Sequence, residues 1–278
     1  MQIWGWSTKL HSRFGYVSLD TFLHRLNPSL KFFSLILIVM GIMIYPSWII
    51  SGSVLLIILI GFLTAGIKLQ LSMKRVRFLI LFSIVLLVLQ VLLTPNGTIL
   101  AYFIPRIGDS GPFLPITDFG LVRGLGISLR FLLIVFASML FVSVTNPTLL
   151  SHSLTKIGIP YRYSYSLIIA LRFLPLLDYE TNSVRMAQKS RGISTQIGGL
   201  KKTLRTIRYT FFPLLVSALS RVEALSLSME GRGFGYRKER TYLRSSKWTP
   251  ADYLVMILSL GFLLFCISLH LGVFPFNI

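Results

Sequence analysis

Residues 32–67 read FFSLILIVMGIMIYPSWIISGSVLLIILIGFLTAGI and contain no charged side chain. As one helix, this 36-residue run would measure about 54 Å at 1.5 Å per residue, against a bilayer hydrocarbon core of about 30 Å. One span cannot use that length. Tyr45-Pro46-Ser47 lies near its middle and supplies a break, because Pro has no N–H and restricts the residue before it. The run therefore predicts two spans, 31–46 and 48–67. A third runs from Phe78 to Leu93 and stops at Thr94-Pro95-Asn96-Gly97. A fourth covers 121–144. A fifth covers 253–274, where His270 is the one titratable group besides the thiol of Cys266 and Tyr253 at its start.

Composition agrees. Of the 278 residues, 54% are apolar, far more than a soluble chain of this length presents. Yet 28 Lys and Arg oppose 9 Asp and Glu, for a formal charge of +19. A basic excess fits either nucleic-acid binding or membrane loops held on the cytoplasmic side. The uncharged runs favour the second. Some thirty charged and aromatic residues precede the first apolar run, with no small-residue cleavage site close behind it, so no signal peptide is expected. The lone cysteine, Cys266, sits inside the last span and reads as a small apolar filler.

The cations follow topology. Lys9, Arg13, Arg25 and Lys31 precede span one, and Lys68, Lys74, Arg75 and Arg77 separate spans two and three. Residues 152–250 carry seventeen. The turn at 45–48 and the tail after Leu271 carry none, and 95–120 carries Arg106 against Asp109 and Asp118. With five spans these sets alternate. The N-terminus is expected inside, the C-terminus outside, and the long basic region in the cytoplasm. Residues 1–30 then form a cytoplasmic N-terminal segment, 31–145 spans one to four, 146–250 a cytoplasmic domain and 251–278 the last span. In the external segment, Ile99, Leu100, Tyr102, Phe103 and Ile104 suggest an interfacial helix or re-entrant piece.

The basic region has apolar residues at helical spacing, so packed amphipathic helices are expected, about three of them. Tyr165–Leu177 is apolar but short, interrupted by Arg172 and bent by Pro175, which suits a helix at the membrane boundary. A second is expected from Pro175 to Ser190, with Glu180, Ala187, Gln188 and Arg191 on one face. A third is expected from Phe211 to Gly231. In it Phe211, Leu215, Ala218, Val222, Leu225 and Met229 form a heptad-like stripe, either a packing seam or a groove for a membrane partner.

Two short echoes stand out, Ser190-Arg191-Gly192 and Gly231-Arg232-Gly233. Each puts an Arg at a helix end with a Gly after it. The Gly suits a left-handed cap and the Arg suits the negative end of the helix dipole. Capping alone would explain each. The pair also presents two rigidly placed guanidinium groups, able to dock carboxylates of a soluble partner.

Several chemistries find no residues. There is no phosphate loop, His-Glu-x-x-His or Gly-x-Ser-x-Gly, and His11, His24, His152 and His270 are scattered. No cofactor, metal or catalytic set is expected. Within the spans only Arg123 and Arg130 of the fourth carry charge. Arg123 is near its end and can snorkel. Arg130 lies deeper, and an inter-helix structural contact is expected for it.

Taken in order, these residues resemble the transmembrane T component (the EcfT/CbiQ-like family) of energy-coupling factor (ECF) transporters, which are importers related to ABC transporters. The resemblance spans nearly the whole chain. Gly15-Tyr16-Val17, Asp20 to Pro28 and Lys31 are similar to the family's opening segment. Thr145-Asn146-Pro147 is near its Thr-Thr-x-Pro. Ala170 to Pro175 with Glu180 resembles its Arg-Phe-x-Pro helix. Ala187 to Gly192 and Met229 to Phe234 match its two Arg-Gly signatures. Ser190 and Gly231 stand where the family usually has Ala, and Asn27 where Asp is commoner.

The resemblance implies an all-α membrane protein that itself neither hydrolyses ATP nor binds the vitamin tightly. It implies two cytoplasmic ABC ATPase subunits, which hold the ATP and Mg, docked at Ser190, Arg191, Gly192, Gly231, Arg232 and Gly233. Arg172, Pro175, Glu180, Gln188, Glu223 and Glu230 are secondary candidates in the coupling region. A small membrane-embedded S component would sit on the stripe from Phe211 to Met229. The opening segment is closer to the module shared by several S components than to dedicated cobalt or biotin versions. The competing expectation is a self-sufficient permease, which needs polar residues lining its own path. A membrane-embedded enzyme and a nucleic-acid binder fit less well, because no acid/base set exists and the cations follow topology.

Overall fold

The computed structural model describes residues 19, 21–66, 73–94, 96–104, 114–192, 200–236 and 248–272. In chain order the elements are α1 (Phe22–Arg25), α2 (Pro28–Ile44), α3 (Trp48–Thr64), α4 (Met73–Leu93), β1 (Ile99–Ile104), β2 (Leu114–Thr117), α5 (Asp118–Val144), α6 (Pro147–Lys156), α7 (Tyr161–Ser190), α8 (Leu200–Gly231) and α9 (Pro250–His270). They fall into two compact units, one of residues 1–146 with 246–278 and one of 147–245.

The first unit begins where Asn27 caps α2. Its side-chain oxygen accepts from the Ser29 N–H at 3.3 Å and the Ser29 hydroxyl at 2.9 Å. Pro28 occupies the first helical turn, where a missing N–H leaves nothing unpaired. The helix ends at Tyr45 because Pro46 disfavours helical geometry in the residue before it, and α3 restarts at Trp48. Thr117 caps α5 by accepting from the Gly120 N–H at 3.1 Å. Thr249 and Asp252 form a reciprocal capping box at the start of α9.

Contacts give the direction of each helix. A Cβ on Gly61 would lie 3.2 Å from Leu140, and one on Gly52 3.8 Å from Leu129, so α3 and α5 run the same way. Gly124 faces the Leu87 carbonyl while the Phe131 ring packs against Phe82, so α4 runs against α5. The Asn27 N–H donates to Asp252 Oδ1 at 2.7 Å, and Gly41 abuts Phe262 and Cys266, so α2 and α9 are parallel. Lys31 Nζ donates to the carbonyl of Val144, which brings the start of α2 to the end of α5. The five apolar helices therefore alternate, and the end of α5 lies with the starts of α2 and α9. The core comprises Ile42, Ile58, Phe62, Ala65, Leu133, Phe136, Ala137 and Val144.

Among the described residues, four helices are long and apolar enough to cross a membrane: α4 from Val76, α5, α8 from Ile207, and α9. Helices α2 and α3 have 17 residues each, about 26 Å and the short end of what a span needs. The break at Pro46 trims both. Helix α8, expected outside the bilayer, meets the same length and composition test.

Several expectations are corrected. Ile99–Ile104, expected as an interfacial helix or re-entrant piece, is a strand. This strand, β1, pairs antiparallel with β2, as suits its Ile, Tyr and Phe content. The two helices expected over 165–190 are one 30-residue helix, α7, with Pro175 inside it. The third begins at Leu200 rather than Phe211 and has Pro213 inside it. Leu200, Leu204, Ile207 and Phe211 continue the helical spacing through a stretch that its cations make look like a linker. The buried Nε of Arg130, for which an inter-helix structural contact is expected, has no hydrogen-bond partner among the described residues. Most of the N-terminal segment, the tail from 273 and the cations Lys9, Arg13, Lys68 and Arg106 lie outside the described residues.

A candidate coupling site built on a helical hairpin

In the second unit α6 packs on α7, and α7 on α8. Three sets of contacts set the register of α7 against α8. Gln188 Nε2 lies 3.5 Å from the Tyr209 carbonyl. Glu180 accepts from the Ser217 hydroxyl at 3.0 Å through Oε2 and pairs with Arg221 through Oε1. Phe234, just past α8, packs between Tyr161 and Tyr165 with ring centroids 5.7 and 4.9 Å away. As the residue number falls along α7 it rises along α8, so the pair is an antiparallel hairpin over its whole length.

Both Arg-Gly sequences end helices in the expected way. Gly192 has φ +77° and Gly233 φ +69°. The Gly233 N–H donates to Glu230 O and the Phe234 N–H to Met229 O, both at 2.9 Å. These two bonds form a complete Schellman cap. At the other end the Gly192 N–H donates to Lys189 O at 3.0 Å and the Arg191 N–H to Ala187 O at 3.2 Å. Arg191 and Arg232 each occupy the last cap position with exposed side chains. The cation there meets the negative end of the helix dipole. Gly231 continues the helix, and a Cβ there would meet nothing within 4 Å.

The hairpin sets the two ends far apart. Arg191 lies beside the start of α8 and Arg232 at its end. Roughly 26 residues of helix separate them, about 39 Å. Each end presents an exposed Arg on its own capped terminus. The second is further held by Phe234 on the first turn of α7 and by Arg162, whose Nη2 lies 3.5 Å from Gly235 O.

The secondary candidates divide. Glu180 and Gln188 are buried on the face toward α8, whereas Ala187 and Arg191, expected on that face, are exposed. Pro175 is half-buried. Arg172, Ser190, Glu223 and Glu230 are exposed, and Ser226 donates to Glu230 at 3.4 Å. The stripe on α8 also divides. Ala218, Leu225 and Met229 are half-buried, while Phe211, Leu215 and Val222 are exposed, Phe211 at 56% and Val222 at 57%. With Phe212, Val216 and Leu219 the exposed members make a broad apolar face. Sequence spacing missed Ser217, Arg221 and Phe234, because a partner on another helix leaves no periodic trace. Among the described residues no group of His, Cys, Asp and Glu could hold a metal ion.

An alternating apolar bundle with an inserted hairpin of two capped, cation-bearing ends defines a multi-pass helical membrane protein. Comparisons with known proteins narrow the class. The family described as CbiQ, cobalt transport protein, matches residues 20–243. The energy-coupling factor transporter transmembrane protein EcfT of Listeria innocua is 31% identical over 250 residues, covering 87% of this chain and 91% of that one. EcfT of Streptococcus thermophilus is 32% identical over 263 residues, covering 90% and 96%. EcfT of Bacillus subtilis is 29% identical over 259 residues, covering 87% and 91%. The chain belongs to the EcfT/CbiQ family, the transmembrane T components of energy-coupling factor transporters.

Proposed function

We propose that this chain is the coupling subunit of an ECF importer, passing ATP-driven motion of two cytoplasmic ATPase subunits to a membrane-embedded substrate-binding S component. The observation that carries the reading is the placement of Arg191 and Arg232 at opposite ends of one hairpin, about 39 Å apart. That separation suits two attachment points rather than one. A capped helix end holds its Arg in a fixed direction, which favours bidentate docking to carboxylates.

The exposed face of α8 around Phe211, Leu215 and Val222 would receive the S component, with α8 lying at the membrane boundary. A crossing placement is less favourable, because Arg221, Glu223 and Glu230 would enter the bilayer. Positive-inside counting supports an N-terminus in the cytoplasm and a C-terminus outside. In this reading the chain performs no catalysis, ATP and Mg belong to the ATPases, and the imported vitamin or other micronutrient is chosen by the S component. The opening segment around Asn27-Pro28 supports a module shared among several S components.

The test is the paired substitution Arg191→Ala with Arg232→Ala. The chain is expected to insert normally while ATPase co-purification and uptake fall. Each lost desolvated charge contact costs about 2–5 kcal/mol. Assembly and uptake at wild-type levels would sink the proposal.

A further inference from the structure

Arg130 occupies the middle of α5, twelve positions after Asp118 and fourteen before Val144. That places about 18 Å of helix on one side of it and about 21 Å on the other. Its neighbours in sequence are Leu129 and Phe131 to Ile134. A guanidinium at such depth is costly unless paired, and an acceptor would ordinarily be found inside the bundle. None is found. Nε is buried without a partner, and no hydrogen bond or ion pair of Arg130 is present among the described residues.

The described carboxylates of this unit, Asp118 and Asp252, do not serve it. Asp252 is committed to Asn27 and Thr249 at the far end of α5. Asp118 is the first residue of α5, about 18 Å away along the helix. Asp20 and Asp109 lie outside the described residues. Lipid phosphates are remote too, since the hydrocarbon core extends about 15 Å to either side of its midplane.

Arg130 also sits on an incompletely covered stripe. Arg123, Ile127, Arg130, Ile134 and Ser138 recur at offsets of three and four and so share one side of α5. Arg123 and Ser138 are exposed, and the other three are half-buried. One flank is closed, with Gly126, Leu133 and Ala137 buried.

We infer that this stripe seats a transmembrane helix of the membrane-embedded partner, and that a carboxylate on that helix pairs with Arg130. The inference rests on the proposed coupling role for the identity of the partner. The charge it leaves uncompensated in the isolated chain becomes the recognition element of the complex. A buried pair broken on one side is strongly unfavourable, so a partner lacking the acid would be rejected.

The test compares the full chain alone with the full complex of chain, two ATPases and S component, using Arg130→Met. In detergent, the isolated variant is expected to melt at the same temperature as wild type or higher, because an unpaired buried charge has been removed. In the complex, the S component retained per chain is expected to fall about tenfold or more while ATPase retention is unchanged. Arg130→Lys should retain a part of it. Arg130→Glu should lose it and regain it when the facing acid of the S component is replaced by Lys. A lower melting temperature for isolated Arg130→Met, marking an internal structural contact, overturns the inference. So does full S-component retention by Arg130→Met. Loss of the ATPases would instead implicate the coupling reading itself, as would a wild-type complex that retains no S component.

Discussion

Gly192 and Gly231 both neighbour an Arg at a helix end, yet they should respond oppositely to the same substitution. Gly192 has φ +77°, where a Cβ is strained, so Gly192→Ala is expected to lower stability by about 1 kcal/mol. Gly231 is inside the last turn with open space around it. Gly231→Ala should raise stability by about 0.5–1 kcal/mol by reducing the conformational entropy of the unfolded chain. Thermal unfolding of the purified variants checks both signs. The contrast was half legible in sequence: the residue order announces two caps, but only backbone geometry tells which glycine is required. Asp252 is a second such residue. It is 1% exposed and accepts from Asn27 N–H, Thr249 N–H and Thr249 Oγ1. Asp252→Asn would turn an amide donor toward one of these donors, and a loss of about 1–3 kcal/mol is expected in the same melting assay.

Helices α7 and α8 pass through Pro175 and Pro213, and Pro175 reads in sequence as a bend between two helices. An interior Pro forfeits one hydrogen bond and costs roughly 3 kcal/mol. A helix of about thirty residues packed along its length outweighs that, so periodicity on both sides of the Pro was the better guide. The join between the two helices depends on Glu180. Its side chain is 12% exposed while that of Arg221 is 44% exposed, so water weakens the pair and its coupling should be modest. A double-mutant cycle with Glu180→Gln and Arg221→Gln is expected to give about 0.5–1 kcal/mol of interaction energy. A coupling near zero would mean that Ser217 and the apolar contacts hold the hairpin without the ion pair.

Across the whole molecule, alternation of the apolar helices and placement of the cations are independent observations that agree. Given an N-terminus in the cytoplasm, a tag on Ile278 should be labelled from outside in intact cells, and protection there would reverse the proposed topology. The apolar runs, the break at Pro46, the capping glycines and the order of the family motifs were all written in the sequence, because each depends on residues near one another along the chain. Hydropathy and turn chemistry are local, and they carry class and family with them. What the tertiary structure decided is non-local. It merged the helices of 161–190, and it paired Ile99–Ile104 as a strand. It divided the α8 stripe into a seam and an open face, and set Arg191 and Arg232 at opposite ends of one hairpin. It also left the Nε of Arg130 without an acceptor among the described residues. Each of these depends on which side chain lies across from which, and that is determined by packing between segments far apart in sequence.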